Sequence, residues 1–230
     1  MIISLTGFMG CGKSSVGRRL SELLCCPFMD LDDVIVESEG RSIPEIFATE
    51  GEQAFRQMEL EALKQIISPS VMSQCAPLAP SHFVGPSPYA GVRKCQFRTS
   101  VSSPEDNMHR SNNTTPSLVL ALGGGAVMTK ECAEIVKEQT CCVYLKASIE
   151  TLMEHLSGEA DGRPMLHGKA ASQEGDTSLR GAERRGNPLQ ERIAELMAQR
   201  SETYEKTAHI IVDTDGKSIE AIASEILSLI

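Results

Sequence analysis

The sequence has no tryptophan, and its aromatic content is only 4%, from three tyrosines and six phenylalanines. That is too little flat surface to build stacking platforms for single-stranded nucleic acid. An excess of positive charge is also missing. The net charge is −9, which excludes a broad polyanion-binding face but not a small basic pocket. No run approaches the ~20 apolar residues of a membrane-spanning helix. The amino end enters a strand-like pattern at once, so no secretory leader is expected. Cysteine is plentiful, at eight, but metal-ligand spacing such as C-x-x-C is absent. Cys25-Cys26 and Cys141-Cys142 are adjacent pairs beside apolar runs. We read the thiols as reduced packing residues of a cytoplasmic protein. Hydrophobic content of 41% over 230 residues suits one domain with a full core.

What is present begins with Gly7-Phe8-Met9-Gly10-Cys11-Gly12-Lys13-Ser14, which fits G-x-x-x-x-G-K-[ST] at every fixed position. Ile2, Ile3 and Leu5 precede it as a buried-strand pattern, and Val16, Leu20, Leu23 and Leu24 follow at helical spacing. Strand, glycine turn and helix are the context this motif needs. Its backbone N–H groups point inward at a phosphate chain, and the new helix offers its positive end. Lys13 is expected to reach the β- and γ-phosphates, and the Ser14 hydroxyl to hold Mg²⁺.

Next, Pro27-Phe28-Met29-Asp30 reads as a short strand ending in acid, with Asp32 and Asp33 at the head of a helix. Carboxylates at the carboxyl end of a strand suit metal handling and hydroxyl activation. Helix capping by Asp32, with Asp33 solvated, is the alternative. Ser42 and Glu45 form a capping box with Pro44 in the first turn. A longer helix from Gly51 carries Arg56 and Glu59 three apart, on one face. Leu118 to Leu122 is a continuous apolar strand ending in Gly123-Gly124-Gly125. Three glycines there point to close backbone approach to a ligand, with a tight strand-to-helix turn as the alternative. Cys142 to Leu145 and Ile210 to Val212 are further strands. Helical patterns run through Ile149 to Leu156, Leu189 to Tyr204 and Ile219 to Ile226.

Two stretches do not fit a compact core. Residues 68–117 exceed the ~12–15 residues that connections in compact domains rarely pass. They hold seven of the eleven prolines and no apolar period, and read as a disordered insertion. His82, His109, Cys75 and Cys95 inside it are too irregularly spaced for a metal site. Residues 168–188 are rich in Gly, Glu and Arg and read as an extension of a lid spanning 163–188.

The P-loop, Phe28-Met29-Asp30-Leu31-Asp32, the block Gly40 to Glu59, Gly123-Gly124-Gly125-Ala126-Val127, Arg163-Pro164-Met165-Leu166, and Arg200 followed by Tyr204 together resemble shikimate kinase, in the family's order. The resemblance covers residues 1–67 and 118–230. The P-loop is shared by many families, and the Gly40 to Glu59 block is far more specific. The resemblance implies a P-loop kinase α/β sandwich, with a five-stranded parallel sheet of order 2-3-1-4-5, helices on both faces and a mobile lid. It implies transfer of the γ-phosphoryl of ATP to the 3-hydroxyl of shikimate with Mg²⁺. It assigns Asp32, Lys13 and Arg163 to catalysis. ATP falls to Gly10, Cys11, Gly12, Lys13, Ser14, Ser15 and Arg163. Shikimate falls to Asp32, Arg56, Gly123, Gly124, Gly125 and Arg200. Glu59 orients Arg56, and Ser14 and Asp30 hold the metal. The family also implies a monomer acting on small molecules only. One departure is His155-Leu156, where the family often has an arginine, and this bears on the adenine contacts. Asp213 to Gly216 is placed near the adenine by resemblance alone. A gluconate kinase on the same scaffold, or a non-catalytic nucleotide-binding module, are the competing readings. A GTPase is disfavoured because no N-K-x-D motif occurs.

Overall fold

The architecture was analysed in a computed structural model that describes residues 1–68, 116–156 and 188–230. The body of the 68–117 insertion, Arg163 and the lid with its extension lie outside the described residues. The elements run β1 (Ile2–Thr6), α1 (Lys13–Leu24), β2 (Phe28–Asp30), α2 (Leu31–Glu39), α3 (Ile43–Thr49), α4 (Gly51–Ile67) and β3 (Leu118–Ala121). A 3₁₀ turn (Ala126–Met128), α5 (Lys130–Gln139), β4 (Cys141–Lys146), α6 (Ile149–Leu156), α7 (Pro188–Thr207), β5 (Ile210–Asp213) and α8 (Ile219–Leu229) follow.

All strand pairings are parallel, in the order β2-β3-β1-β4-β5. The central strand β1 is buried along its whole length, as a strand covered on both faces must be. Side chains alternate between faces, and the core divides accordingly. Ile2, Leu118, Leu120, Cys142 and Tyr144 pack with α2, α4, α5 and Tyr204 of α7. Ile3, Leu5, Val119, Val143 and Leu145 pack with Val16 and Leu20 of α1, Leu152 of α6 and Ile222 of α8. One polar link sits within this core: the hydroxyls of Ser4 and Thr140 lie 2.6 Å apart. Thr140 Oγ1 also donates to the Val136 carbonyl.

The expected caps form. The Glu45 carboxylate accepts from both the backbone N–H and the hydroxyl of Ser42 at 2.7 Å, closing the start of α3. Among the described cysteines, Cys11, Cys132 and Cys142 are buried. Among the described residues no helix is long and apolar enough to cross a membrane.

The strand order carries the functional consequence. The ends of β2, β3 and β1 lie side by side, so the acidic turn, the triple glycine and the P-loop share one edge of the sheet. Tight packing holds α1 there. A Cβ on Gly17 would run into the Phe28 ring and sit 3.2 Å from Leu5 Cδ1. Alanine in place of glycine favours an isolated helix by about 1 kcal/mol. Here Gly17→Ala should instead destabilise by about 1–2 kcal/mol through overpacking. Urea unfolding, with a lower midpoint at unchanged slope, is the measurement that checks it.

Candidate active site

The P-loop is shaped by its glycines. Gly10 and Gly12 sit at φ 82° and 91°, a left-handed backbone that side chains disfavour. α1 then starts at Lys13 with no acidic residue in its first turn, so nothing of its own offsets the positive end. Lys13 Nζ folds back onto the loop, donating to the carbonyls of Gly7 at 3.0 Å and Phe8 at 2.9 Å. The Cys11 sulfur lies 3.9 Å from the same amine.

Ser14 Oγ donates to Asp30 Oδ2 at 2.6 Å, which links the head of α1 to the end of β2. The other Asp30 oxygen accepts the Asp32 N–H and caps α2. The cap is therefore Asp30, and the alternative in which Asp32 caps its own helix does not occur. Asp32 turns inward instead. Its Oδ1 is buried and has no partner among the described residues. Burial, followed by the Asp30 charge, pushes its pKa up to about 6, against the pull of Lys13 and Arg56.

Arg56 and Glu59 meet as their spacing predicts, Nη1 to Oε2 at 2.6 Å. Glu52 adds a second carboxylate at 3.0 Å to Nη2. This contact was legible as an i, i+4 pair and was missed. Glu59 is buried, and its Oε1, like Asp32 Oδ1, has no partner among the described residues.

The glycine run has a reason that the sequence reading did not supply. A Cβ on Gly123 would lie 2.6 Å from Asp32 Oδ1 and 2.7 Å from Glu59 Oε1. One on Gly125 would enter the Arg56 guanidinium, and one on Gly124 would come within 3.2 Å of the Met9 backbone nitrogen. The glycines make room for the site's own charged groups and for the P-loop. The Gly124 carbonyl accepts a hydrogen bond from Tyr204 Oη, with Arg200 Nη1 at 3.5 Å. Arg200 is 6% exposed and forms no ion pair among the described residues. Tyr204 had been noted only as a family marker. Its i, i+4 relation to Arg200 was the available signal.

Two further contacts bear on the departures. His155 Nδ1 lies 2.7 Å from the Gly10 carbonyl, so the end of α6 rests on the P-loop. Asp215 accepts from the Ser148 N–H and the Thr151 hydroxyl, and so ties the loop after β5 to the start of α6, where the Ser148 hydroxyl accepts the Thr151 N–H.

A parallel sheet of this order, a phosphate-binding loop on its central strand and a buried acid across a glycine floor define a P-loop kinase. The comparisons name the family. The shikimate kinase model matches residues 9–76 and 97–230. The shikimate kinase of Dictyoglomus turgidum is 30% identical over 227 residues, spanning 98% of this chain and 94% of that protein. That of Geobacter metallireducens is 34% identical over 224 residues, spanning 97% and 88%. The structure of shikimate kinase from Acinetobacter baumannii in complex with shikimate superposes with a TM-score of 0.67 at 26% identity, covering 99% of this chain and 91% of that one. The chain belongs to the shikimate kinase family. The internal stretch left unmatched, 77–96, is shorter than the 68–117 excursion read from composition.

Glu59 links the site to stability. Burial pushes its pKa up to about 7 from an ordinary 4.5, with Arg56 opposing. The folded chain then holds more protons than the unfolded one between these values. Its contribution is present below pH 4.5 and is lost as pH rises through about 7. The stability of the wild type relative to Glu59→Gln should therefore fall between pH 5 and pH 8. Parallel stability–pH curves for the two proteins would contradict this.

Proposed function

We propose that the chain transfers the γ-phosphoryl of ATP to the 3-hydroxyl of shikimate, giving ADP and shikimate 3-phosphate. The observation that carries this reading is Asp32. Its unpartnered, buried oxygen stands over the glycine floor, under the charges of Lys13 and Arg56. Family membership supports the same substrate pair, and the Acinetobacter relative is described in complex with shikimate.

In this reading Asp32 accepts the proton of the 3-hydroxyl as that oxygen bonds to the γ-phosphorus. The bond from phosphorus to the β-phosphate oxygen breaks, and ADP leaves with that electron pair. Lys13 exchanges its two loop carbonyls for phosphate oxygens. The backbone of Gly10, Cys11, Gly12, Ser14 and Ser15 cradles the remaining phosphates. Ser14 Oγ and Asp30 Oδ2 are adjacent hard oxygens, and they fit Mg²⁺ held by few protein groups and by substrate phosphates. When bound, the ion supplies charge neutralisation at the phosphates. Arg56, oriented by Glu59, and Arg200 receive the shikimate carboxylate, each guanidinium able to form paired hydrogen bonds. Gly123, Gly124 and Gly125 bring the backbone close to the ring. Arg163, outside the described residues, is assigned by resemblance to the transferring phosphoryl. All these groups come from one chain, so we take a monomer as the working unit. A reducing, ATP-supplied cytoplasm is the compartment it implies.

Mixing the protein with ATP, Mg²⁺ and shikimate should release ADP, with no release above background when gluconate replaces shikimate. Asp32→Asn and Lys13→Met should each lower turnover about 100-fold or more. ATP binding without shikimate-dependent release would overturn the reading. Gly123→Ala should lower kcat/KM for shikimate about 100-fold by displacing Asp32 and Glu59. An unchanged circular-dichroism spectrum would confirm that the loss is local.

A further inference from the structure

We infer that Tyr204 is a positioning residue for the substrate carboxylate: its hydroxyl occupies the Gly124 carbonyl and so keeps the Arg200 guanidinium available to an anion. The inference rests on the shikimate kinase reading above.

Arg200 and Tyr204 are one turn apart on α7, and both aim at the same acceptor. Tyr204 Oη donates to the Gly124 oxygen, while Arg200 Nη1 stands at 3.5 Å, the limit of hydrogen bonding. The tyrosine is rigidly placed. It is fully buried, and its ring stacks on Tyr144 with centroids 5.2 Å apart and planes at 29°. Burial also drives its phenol pKa well upward, so it remains a proton donor.

The two substrate-side arginines differ in what holds them. Arg56 is tied to Glu52 and Glu59. Arg200 is almost as withdrawn from water as a core residue, yet it has no carboxylate within 4 Å among the described residues. Its guanidinium stands 6.0 Å from the Phe8 ring centroid and meets only neutral oxygens, the Tyr204 hydroxyl and the Gly124 carbonyl, and that is weak compensation for a buried charge. A buried, unmatched guanidinium is poised for an anion. Without the tyrosine hydroxyl, Gly124 O would be its nearest acceptor. Arg200 would close the remaining gap, and an incoming carboxylate would have to break that bond first. The same hydroxyl fixes the plane of the Gly124–Gly125 peptide. In a trans peptide this also fixes the direction of the Gly125 N–H.

The test compares steady-state kinetics of the wild type, Tyr204→Phe, Arg200→Ala and the double variant. Phenylalanine keeps the ring, the stacking and the core volume, so Tyr204→Phe should fold as the wild type does. In the wild-type background it should raise KM for shikimate about five- to tenfold, as loss of one hydrogen bond of this kind does. Both kcat and KM for ATP should change less than about twofold. In the Arg200→Ala background the same change should alter kcat/KM for shikimate by less than about twofold, because the residue it acts through is gone. Equal losses in both backgrounds would mark a merely structural tyrosine and overturn the inference. An unchanged KM for shikimate in Tyr204→Phe would do so as well, with the enzymatic reading intact. Failure of the wild type to release ADP with shikimate would instead remove the reading and this inference together.

Discussion

Burying charge sets the terms for this site. Arg56, Glu59 and Asp32 meet above Gly123 and Gly125, all largely withdrawn from water. Such groups cost several kcal/mol each unless paired or hydrogen-bonded, so the surrounding backbone has to yield them space and partners. Just past Leu122, the residue that follows β3, the chain reaches Gly123, where a side chain would collide with Asp32 and Glu59. The order β2-β3-β1 then follows as a functional arrangement and not only a packing one. β3 lies between the strand that ends in acid and the strand that ends in the P-loop. The two meet past its end, where Ser14 Oγ of the P-loop donates to Asp30 Oδ2 at 2.6 Å.

The phosphate loop shows the complementary device. Lys13 cannot stay unpaired beside a loop of inward-facing amides, so it engages the carbonyls of Gly7 and Phe8. Those neutral acceptors are weaker partners than a phosphate oxygen, because charge-assisted hydrogen bonds are about twice as strong. The loop is therefore already folded, and the exchange of partners favours an anion. His155 and Leu156 add support from outside. The ring nitrogen meets the Gly10 carbonyl, and a Cβ on Gly10 would stand 3.0 Å from Leu156 Cγ. The place where the family often has an arginine is here a brace on the P-loop.

The sequence made the fold legible wherever one rule dominated. Continuous apolar runs gave β3 and β4, because a doubly covered parallel strand is buried on both faces, and Ile2, Ile3 and Leu5 gave β1, whose Ser4 is buried with Thr140 as its partner. Ser42 and Glu45 gave the start of α3 through cap chemistry alone. The sheet order came from resemblance, since periodicity says nothing about which strands are neighbours. In the site, the Arg56–Glu59 contact was readable from helix geometry. Glu52 was equally readable and was passed over. The split between Asp30 and Asp32 was not readable: both lie at a strand-to-helix turn, and only the packed structure decides which caps and which turns inward. The glycines were read as room for a ligand, whereas two of them first make room for side chains from α2 and α4. That requires knowing which distant residues arrive, and local sequence holds no such information.

A chain of net charge −9 that is to bind two anionic substrates faces an opposing long-range field. Screening limits this field, since charges more than ~8 Å apart hardly act on one another at physiological ionic strength. What matters is the balance inside the site. Glu59 and Glu52 largely cancel Arg56, and Asp30 engages Ser14 and the N–H of Asp32. Lys13 and Arg200 form no ion pair among the described residues, and each holds only neutral acceptors. Among the described residues of the site, Lys13 and Arg200 are thus the cations left without a carboxylate, while the unpartnered oxygen of Asp32 stands under the charges of Lys13 and Arg56. In the proposed reaction Lys13 would take the phosphates, Arg200 the carboxylate, and Asp32 the proton of the hydroxyl that is phosphorylated.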